Sequence, residues 1–274
     1  MNSITIEPFK SENFRDLAEI FLISFREPPI DFSLIKETAN KFKNLSSMHL
    51  VQFYVAKDRE RIVGLGGIIV YEGSSFIGYL GVIPPYRNQG IGTKLFTILF
   101  HFAKKFNSVV ELFANLGALN LYKKFGFKEQ FSCNRYELFP KEKKSRLRIN
   151  EFSSIPKWIY NLDRKIMGYN RSILLDCLFH KMNFSLIGVE KSAFLLYDKS
   201  DIGPVIGNNF NAGIELINYA LKKNPRNIII PAALNSKLSM FSLKKVHETR
   251  KMIHEGKSKQ IKSGIIGYYS YATG

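Results

Sequence analysis

Cysteine and tryptophan are scarce in this chain of 274 residues, with two of the first and one of the second. Cys133 and Cys177 are too few for a disulfide scaffold and fit a reducing, cytoplasmic compartment. Long apolar runs are missing as well. The longest, residues 62–71, is about half of the roughly 20 residues a bilayer core requires, so no membrane partner is expected. Residues 1–10 carry Glu7 and lack a basic start followed by an apolar stretch, so they do not read as a signal peptide. The five histidines, at 49, 101, 180, 247 and 254, are too scattered to suggest a metal site, and His247-Glu248 is not followed by the second histidine of a zinc-protease helix. Acidic residues are short relative to basic ones, 23 against 40, for a net charge of +17. The excess is uneven: residues 1–140 net +4 and residues 141–274 net +13. A basic second half leaves a nucleic-acid partner open beside a merely solvated basic surface.

What is present is a globular core. The apolar fraction is 45%, and the length suits two domains or one large one. A strand is expected at residues 3–8. A helix capped by Ser11 should follow, with Phe14, Leu17, Ala18 and Phe21 on one face, then a helix capped by Asp31. Runs at 49–56, 62–71 and 76–83, separated by charged or Gly-Ser turns, read as an antiparallel meander. An amphipathic helix with Ile91, Leu95, Ile98, Leu99 and Phe102 on its face comes next. It is followed by a strand at 109–114, a short helix at 117–125 and a strand at 127–138. The charged segment 139–146, which contains Pro140, reads as a linker, dividing the chain into domains 1–140 and 146–274. The second domain repeats the layout less clearly. Helices are expected at 158–167, 172–180 and 212–221, and strands near 146–150, 184–189, 193–197, 227–230 and 264–271.

The most informative stretch runs from Leu80 to Leu95, a strand, a two-glycine turn and a helix in direct succession. A helix N-terminus offers unpaired N–H groups and partial positive charge, and glycine lets the backbone approach a bulky anion. A phosphate or pyrophosphate site is therefore expected at Asn88, Gln89, Gly90, Ile91, Gly92 and Thr93. No Gly-Lys-Ser/Thr follows, so it is not a Walker loop. The third glycine of the dinucleotide fingerprint is also missing.

Val82-Ile83-Pro84 followed by Arg87-Asn88-Gln89-Gly90-Ile91-Gly92 resembles the hallmark of the GCN5-related N-acetyltransferase (GNAT) superfamily. A second hallmark is matched by Asn115, Ala118, Leu121, Tyr122, Lys124, Gly126 and Phe127. The resemblance covers residues 1–140. It implies an α/β (α+β) fold with a mostly antiparallel mixed sheet flanked by helices, and a parallel strand pair, here 76–83 and 109–114, that splays apart. It also implies acetyl-CoA as co-substrate. Backbone groups near Val82 and the Asn115 side chain would bind the pantetheine arm, and the loop Arg87 to Thr93 the pyrophosphate. Tyr122 would be the general acid on the departing thiolate. Residues 146–274 resemble a degenerate GNAT-like domain through Asp163, Met167, Gly168, Tyr169, Asn170 and Arg171, then Ile202-Gly203-Pro204-Val205 and the closing Tyr271-Ala272-Thr273-Gly274. This domain lacks the phosphate loop, so no second coenzyme site is expected.

The general base stays open. The strand 76–80 has no carboxylate; Glu72 and Glu111 are nearby but read more readily as solvated strand-end charges. A water chain or an already neutral amine are the alternatives. Phe21, Phe25 and Phe32 flank the loop that borders the acceptor in relatives, and most should be core. The resulting expectation is an acetyl-CoA-dependent N-acetyltransferase with a small-molecule or protein amine acceptor. A non-catalytic acyl-CoA sensor or scaffold, and an acetyltransferase acting on RNA or an RNA-bound partner, are the alternatives. Homodimerisation is left open.

Overall fold

A computed structural model describes residues 4–10, 13–26, 29–49, 51–140, 147–256 and 260–274. Two compact units divide between Val110 and Glu111. The break differs from the linker read at 139–146, of which residues 141–146 lie outside the described residues, as does Ser11. Among the described residues no helix is long and apolar enough to cross a membrane.

The first unit contains β1 (Ile4–Pro8), α1 (Phe14–Phe25), α2 (Phe32–Ser46), β2 (Val51–Asp58), β3 (Arg61–Tyr71), β4 (Ser74–Val82) and α3 (Ile91–Lys104). The strands pair antiparallel in the order β1-β2-β3-β4. Asp31 caps α2 as expected, its Oδ1 accepting the Ser33 N–H at 2.8 Å. α1 begins at Asn13 without a side-chain cap. Helices cover both faces of the sheet. At Gly66 an added Cβ would lie 2.5 Å from Leu99 of α3, and at Gly81 it would lie 2.7 Å from Ser24 of α1. Such close approach requires glycine. β3, with helices on both sides, is buried from Val63 to Tyr71.

Strand β4 is interrupted where it matters for the site. Gly67 pairs with Gly78 and Leu65 with Gly81, so Tyr79 and Leu80 together oppose Gly66. Tyr79 adopts φ +56°, strained for an aromatic residue. Its ring packs edge-on against Phe21, Phe42 and Phe53, which holds the bulge in place.

The second unit holds β5 (Val110–Asn115, one residue of it before the break), α4 (Leu119–Lys124), β6 (Lys128–Pro140), β7 (Asn150–Phe152), α5 (Lys157–Met167), α6 (Ser172–Asp176), β8 (Ser185–Val189), β9 (Ala193–Tyr197), β10 (Asp201–Gly207), α7 (Phe210–Leu221), β11 (Asn227–Pro231), β12 (Phe241–His254) and β13 (Ile265–Gly267). A π-helical turn, Cys177–Lys181, continues α6. The strand order is β5-β12-β6-β11-β10-β9-β8-β7, with β13 on β10. The strand expected at 264–271 is confined to β13, and the one expected near 146–150 is displaced to β7, which shares only Asn150 with it.

β10 and β12 are strands the sequence reading did not foresee, and β12 is the longer. It runs antiparallel along β6 from Phe241 opposite Pro140 to Ile253 opposite Lys128. Its middle is charged, and at an inward position it carries Lys251, where alternation would call for an apolar residue. Lys251 Nζ lies 2.6 Å from Glu111 Oε2 on β5, with both side chains 2% exposed or less. Glu111 is therefore buried and paired, which corrects the expectation of a solvated strand-end charge. Gln260 Nε2 donates to the same Oε2 at 3.2 Å, and Tyr268 donates to Gln260 Oε1. The Phe113 ring lies 4.8 Å from Lys251 Nζ.

A second buried pair anchors the end of the chain. Arg171 grips Asp163 through Nε and Nη2, at 2.9 and 2.8 Å to the two carboxylate oxygens, and donates from Nη1 to the Gly274 carbonyl at 2.7 Å. The Asp163 to Arg171 motif thus has a structural role, fastening residues 272–274 into the core.

Breaking one partner of a buried ion pair leaves a lone charge, whereas replacing both with apolar residues does not. Lys251→Ala should destabilise the protein by about 3–5 kcal/mol, and Lys251→Met combined with Glu111→Leu should recover most of that loss. Urea unfolding of the three proteins tests this. Equal losses in the single and double variants would contradict it.

Candidate functional site

The segment after β4 turns sharply and then opens a helix. Pro84–Tyr86 forms a single 3-10 turn, and Arg87 is extended. Asn88 is left-handed at φ +61°, and Gly90 is left-handed at φ +78° and occupies the N-cap of α3. α3 has no side-chain cap and no acidic residue in its first turn. Its first internal bond runs from the Lys94 N–H to the Gly90 carbonyl at 3.0 Å. The amides of Ile91, Gly92 and Thr93 therefore have no acceptor within the helix.

Side chains around this turn hold its shape. Arg87 Nε donates to the Val82 carbonyl at 3.0 Å and Nη2 to the Ser24 carbonyl at 2.9 Å, which ties the end of α1 to the end of β4. Gln89 Nε2 reaches back to the Pro85 carbonyl at 3.1 Å. Tyr86 donates to Asp58 at 2.8 Å. Ile91 is buried, packed with Ala56, Val63, Ile83 and Leu95. Of the residues expected to contact coenzyme, Ile91 and Arg87 thus contribute structure with their side chains, and the Val82 carbonyl already accepts a bond. What remains toward solvent is backbone: Asn88, Gln89, Gly90 and Thr93 are exposed and Gly92 half-buried.

The glycines leave room. A Cβ at Gly90 would meet nothing within 4 Å, and one at Gly92 would touch only Val82 Cγ2 at 3.9 Å. Gly90 needs its left-handed φ. Gly92 lies in an ordinary helical turn with space for a methyl group, so packing does not account for it. An uncapped helix start beside an open space fits a bulky anion such as a pyrophosphate.

On the other face of this sheet, the Ser24 hydroxyl is buried, lacks a hydrogen-bond partner among the described residues and sits over Gly81. Phe21 packs with Phe42 and Tyr79, but Phe25 and Phe32 are 43% and 61% exposed. Most of these three aromatics were expected in the core, and two of them are instead on the surface.

In the second unit, Asn115 ends β5 and Tyr122 lies on α4. Half of the second hallmark is a helix stop: Gly126 is left-handed at φ +83°, and the Phe127 N–H returns to the Tyr122 carbonyl at 3.1 Å. Tyr122 is 7% exposed, and burial pushes its phenol well above the usual range, so it is protonated at neutral pH. Asn115 Oδ1 lies 2.9 Å from His247 Nε2. No motif in the sequence links residues 132 positions apart. Cys133 and Cys177 are buried, and burial holds both thiols above their ordinary range. Among the described residues no cluster of three His, Cys, Asp or Glu is placed to hold a metal.

α7 offers a contrast. Its N-cap, Asn209, accepts the Ala212 N–H at 3.1 Å with its own side chain. Gly213 packs so tightly that a Cβ would lie 2.1 Å from Ile266. Side chains fill this helix start, whereas the start of α3 is open.

Residues 14–127 match the acetyltransferase (GNAT) family. A structure from Pyrococcus horikoshii, described as a candidate acetyltransferase, aligns over 100% of this chain and 97% of its own at a TM-score of 0.90 and 24% identity. A tandem GNAT protein from the clavulanic acid pathway aligns over 93% of this chain and 100% of its own, with a TM-score of 0.59 and 10% identity. A Drosophila melanogaster protein named "Probable N-acetyltransferase san" is 41% identical over 66 residues, 20% of this chain. That match spans only 36% of the fly protein's length. The family match thus covers residues 14–127, and over nearly its whole length the chain shares the fold of these two solved structures. Acetyl transfer is the activity this family match supports, and members of the family generally use acetyl-CoA.

If packing does not require Gly92, Gly92→Ala should leave the fold intact and raise its stability by up to about 0.5 kcal/mol, as helix propensity dictates. Thermal unfolding reads this out, and a lowered midpoint would show that packing excludes the methyl group.

Proposed function

We propose that the protein is an acetyl-CoA-dependent N-acetyltransferase that moves the acetyl group directly to an amine. The observation that carries this reading is the uncapped start of α3, whose Gly92 has room for a side chain and none present. The amides of Ile91, Gly92 and Thr93 would hold the pyrophosphate, with no carboxylate in the first turn to oppose it. The Asn115 amide would bond the pantetheine arm.

In the transfer, the amine nitrogen attacks the thioester carbonyl. The new C–N bond forms as the C–S bond breaks, the amine gives up one proton, and coenzyme A leaves as a thiolate. A backbone N–H at the β4 bulge would stabilise the carbonyl oxygen as it gains charge. Tyr122 would donate its phenolic proton to the sulfur, and the proton given up by the amine would pass through water to the phenolate, restoring Tyr122. Burial keeps this phenol protonated but makes it a reluctant acid. A thiolate released into equally dry surroundings is raised too, which keeps donor and acceptor matched. The Ser24 hydroxyl is available for a polar group of the acceptor.

A second reading, acyl-CoA binding without turnover, draws on one observation. β4 has no carboxylate, and Lys251 holds Glu111, so neither supplies an evident base.

Calorimetric titration with acetyl-CoA followed by an amine screen separates the two readings. One acetyl-CoA should bind per chain. Tyr122→Phe should lower kcat by about 100-fold or more while leaving Kd for acetyl-CoA within about twofold. Gly92→Ala should weaken acetyl-CoA binding at least about tenfold, because its methyl group occupies the space for the pyrophosphate. Binding without turnover on any amine would favour the sensor, and no binding would overturn both readings.

A further inference from the structure

Nothing in the second hallmark explains what holds its asparagine in place. Asn115 is the last residue of β5, and its Oδ1 lies 2.9 Å from His247 Nε2 on β12. An amide oxygen only accepts, so the imidazole donates through Nε2–H. A bulge brings His247 there. Lys245 pairs with Tyr136 and His247 with the adjacent Arg135, which leaves Val246 as an extra residue, 55% exposed. Lys245 and His247 therefore lie on opposite faces, and His247 shares its face with Thr249 and Lys251. Glu111, Phe113 and Asn115 likewise share one face of β5. Two polar contacts join the rows, Lys251 to Glu111 and His247 to Asn115.

The imidazole is itself held. Tyr271 stands edge-on to it at 5.8 Å and to Phe113 at 5.5 Å. Loss of solvent around the ring on its packed side and the nearby Arg135 guanidinium, which Asp201 binds at 2.6 Å, lower the pKa of His247, while Glu248 opposes the shift. A neutral imidazole has one N–H, and the bond to Asn115 commits it to Nε2.

We propose that His247 is a positioning residue for the coenzyme site: by occupying Asn115 Oδ1 it leaves the Nδ2 donors to face a carbonyl of the pantetheine arm. This rests on the assignment of Asn115 to that arm. An amide without such a partner can turn over and present its oxygen to the ligand's carbonyl instead. A residue late in the sequence thereby orients one in the second hallmark.

The test is calorimetric Kd for acetyl-CoA in the wild type, His247→Ala, His247→Gln, Asn115→Ala and the Ala double variant. His247 is exposed, so its replacements should fold. His247→Ala should weaken binding about fivefold to tenfold, the scale of one hydrogen bond. Glutamine, whose amide donates at a similar reach, should restore Kd to within about twofold. In the Asn115→Ala background, His247→Ala should add nothing. An unchanged Kd in His247→Ala, no rescue by glutamine, or a loss that persists without Asn115 would each overturn the role of His247. If the wild type binds no acetyl-CoA, the functional assignment itself fails and takes this role with it.

Discussion

The second unit depends on where residues 241–254 sit. β12 lies between β5 and β6, pairs with β6 from end to end, and carries Lys251 to Glu111 and His247 to Asn115. Without it, β5 and β6 would each expose a row of backbone donors and acceptors, and Glu111 would be a buried carboxylate without its cation. The ion pair also acts on register. A slip of β12 by one residue would turn Lys251 to the other face and leave Glu111 uncompensated, so the pair penalises misalignment even if it adds little net stability.

The two helix starts show how similar topology can serve different ends. α3 follows β4 and α7 follows β10, and each opens after a short connection. At α7, Asn209 satisfies a first-turn amide with its own side chain and Gly213 is a contact point for Ile266. At α3 the cap is a left-handed glycine, and the fixed side chains, Arg87, Gln89 and Tyr86, all bond to groups behind the turn. Side chains tie this loop to its surroundings, while the first-turn amides of the helix are left without a side-chain cap.

Much of this was legible in sequence because local rules governed it. Asp31 capped its helix, the meander of β2, β3 and β4 followed from turn residues, and Gly90 and Gly92 marked the opening of α3. The failures share a cause: contacts distant in sequence. β12 has few apolar residues because backbone pairing and ion pairs hold it, so it lacks the period that announces a strand. Glu111 looked like a surface charge because its partner lies 140 positions away. The Arg87 guanidinium bonds two main-chain carbonyls, and the one at Ser24, 63 positions away, has no local signal. Asn115 and His247 meet across 132 positions of chain, and nothing near Asn115 indicated that contact.

The place of β12 also sets an order of events for a growing chain. β5 is complete at residue 115 and β6 at residue 140, but the strand that separates them ends at residue 254. At about 5–20 residues per second, the ribosome makes β12 many seconds after its neighbours. Through that interval β5 and β6 cannot simply pair with each other without closing the slot that β12 must enter. The charged side chains that β6 itself carries, Lys128, Glu129 and Glu137, make its waiting edge less attractive to the wrong partner.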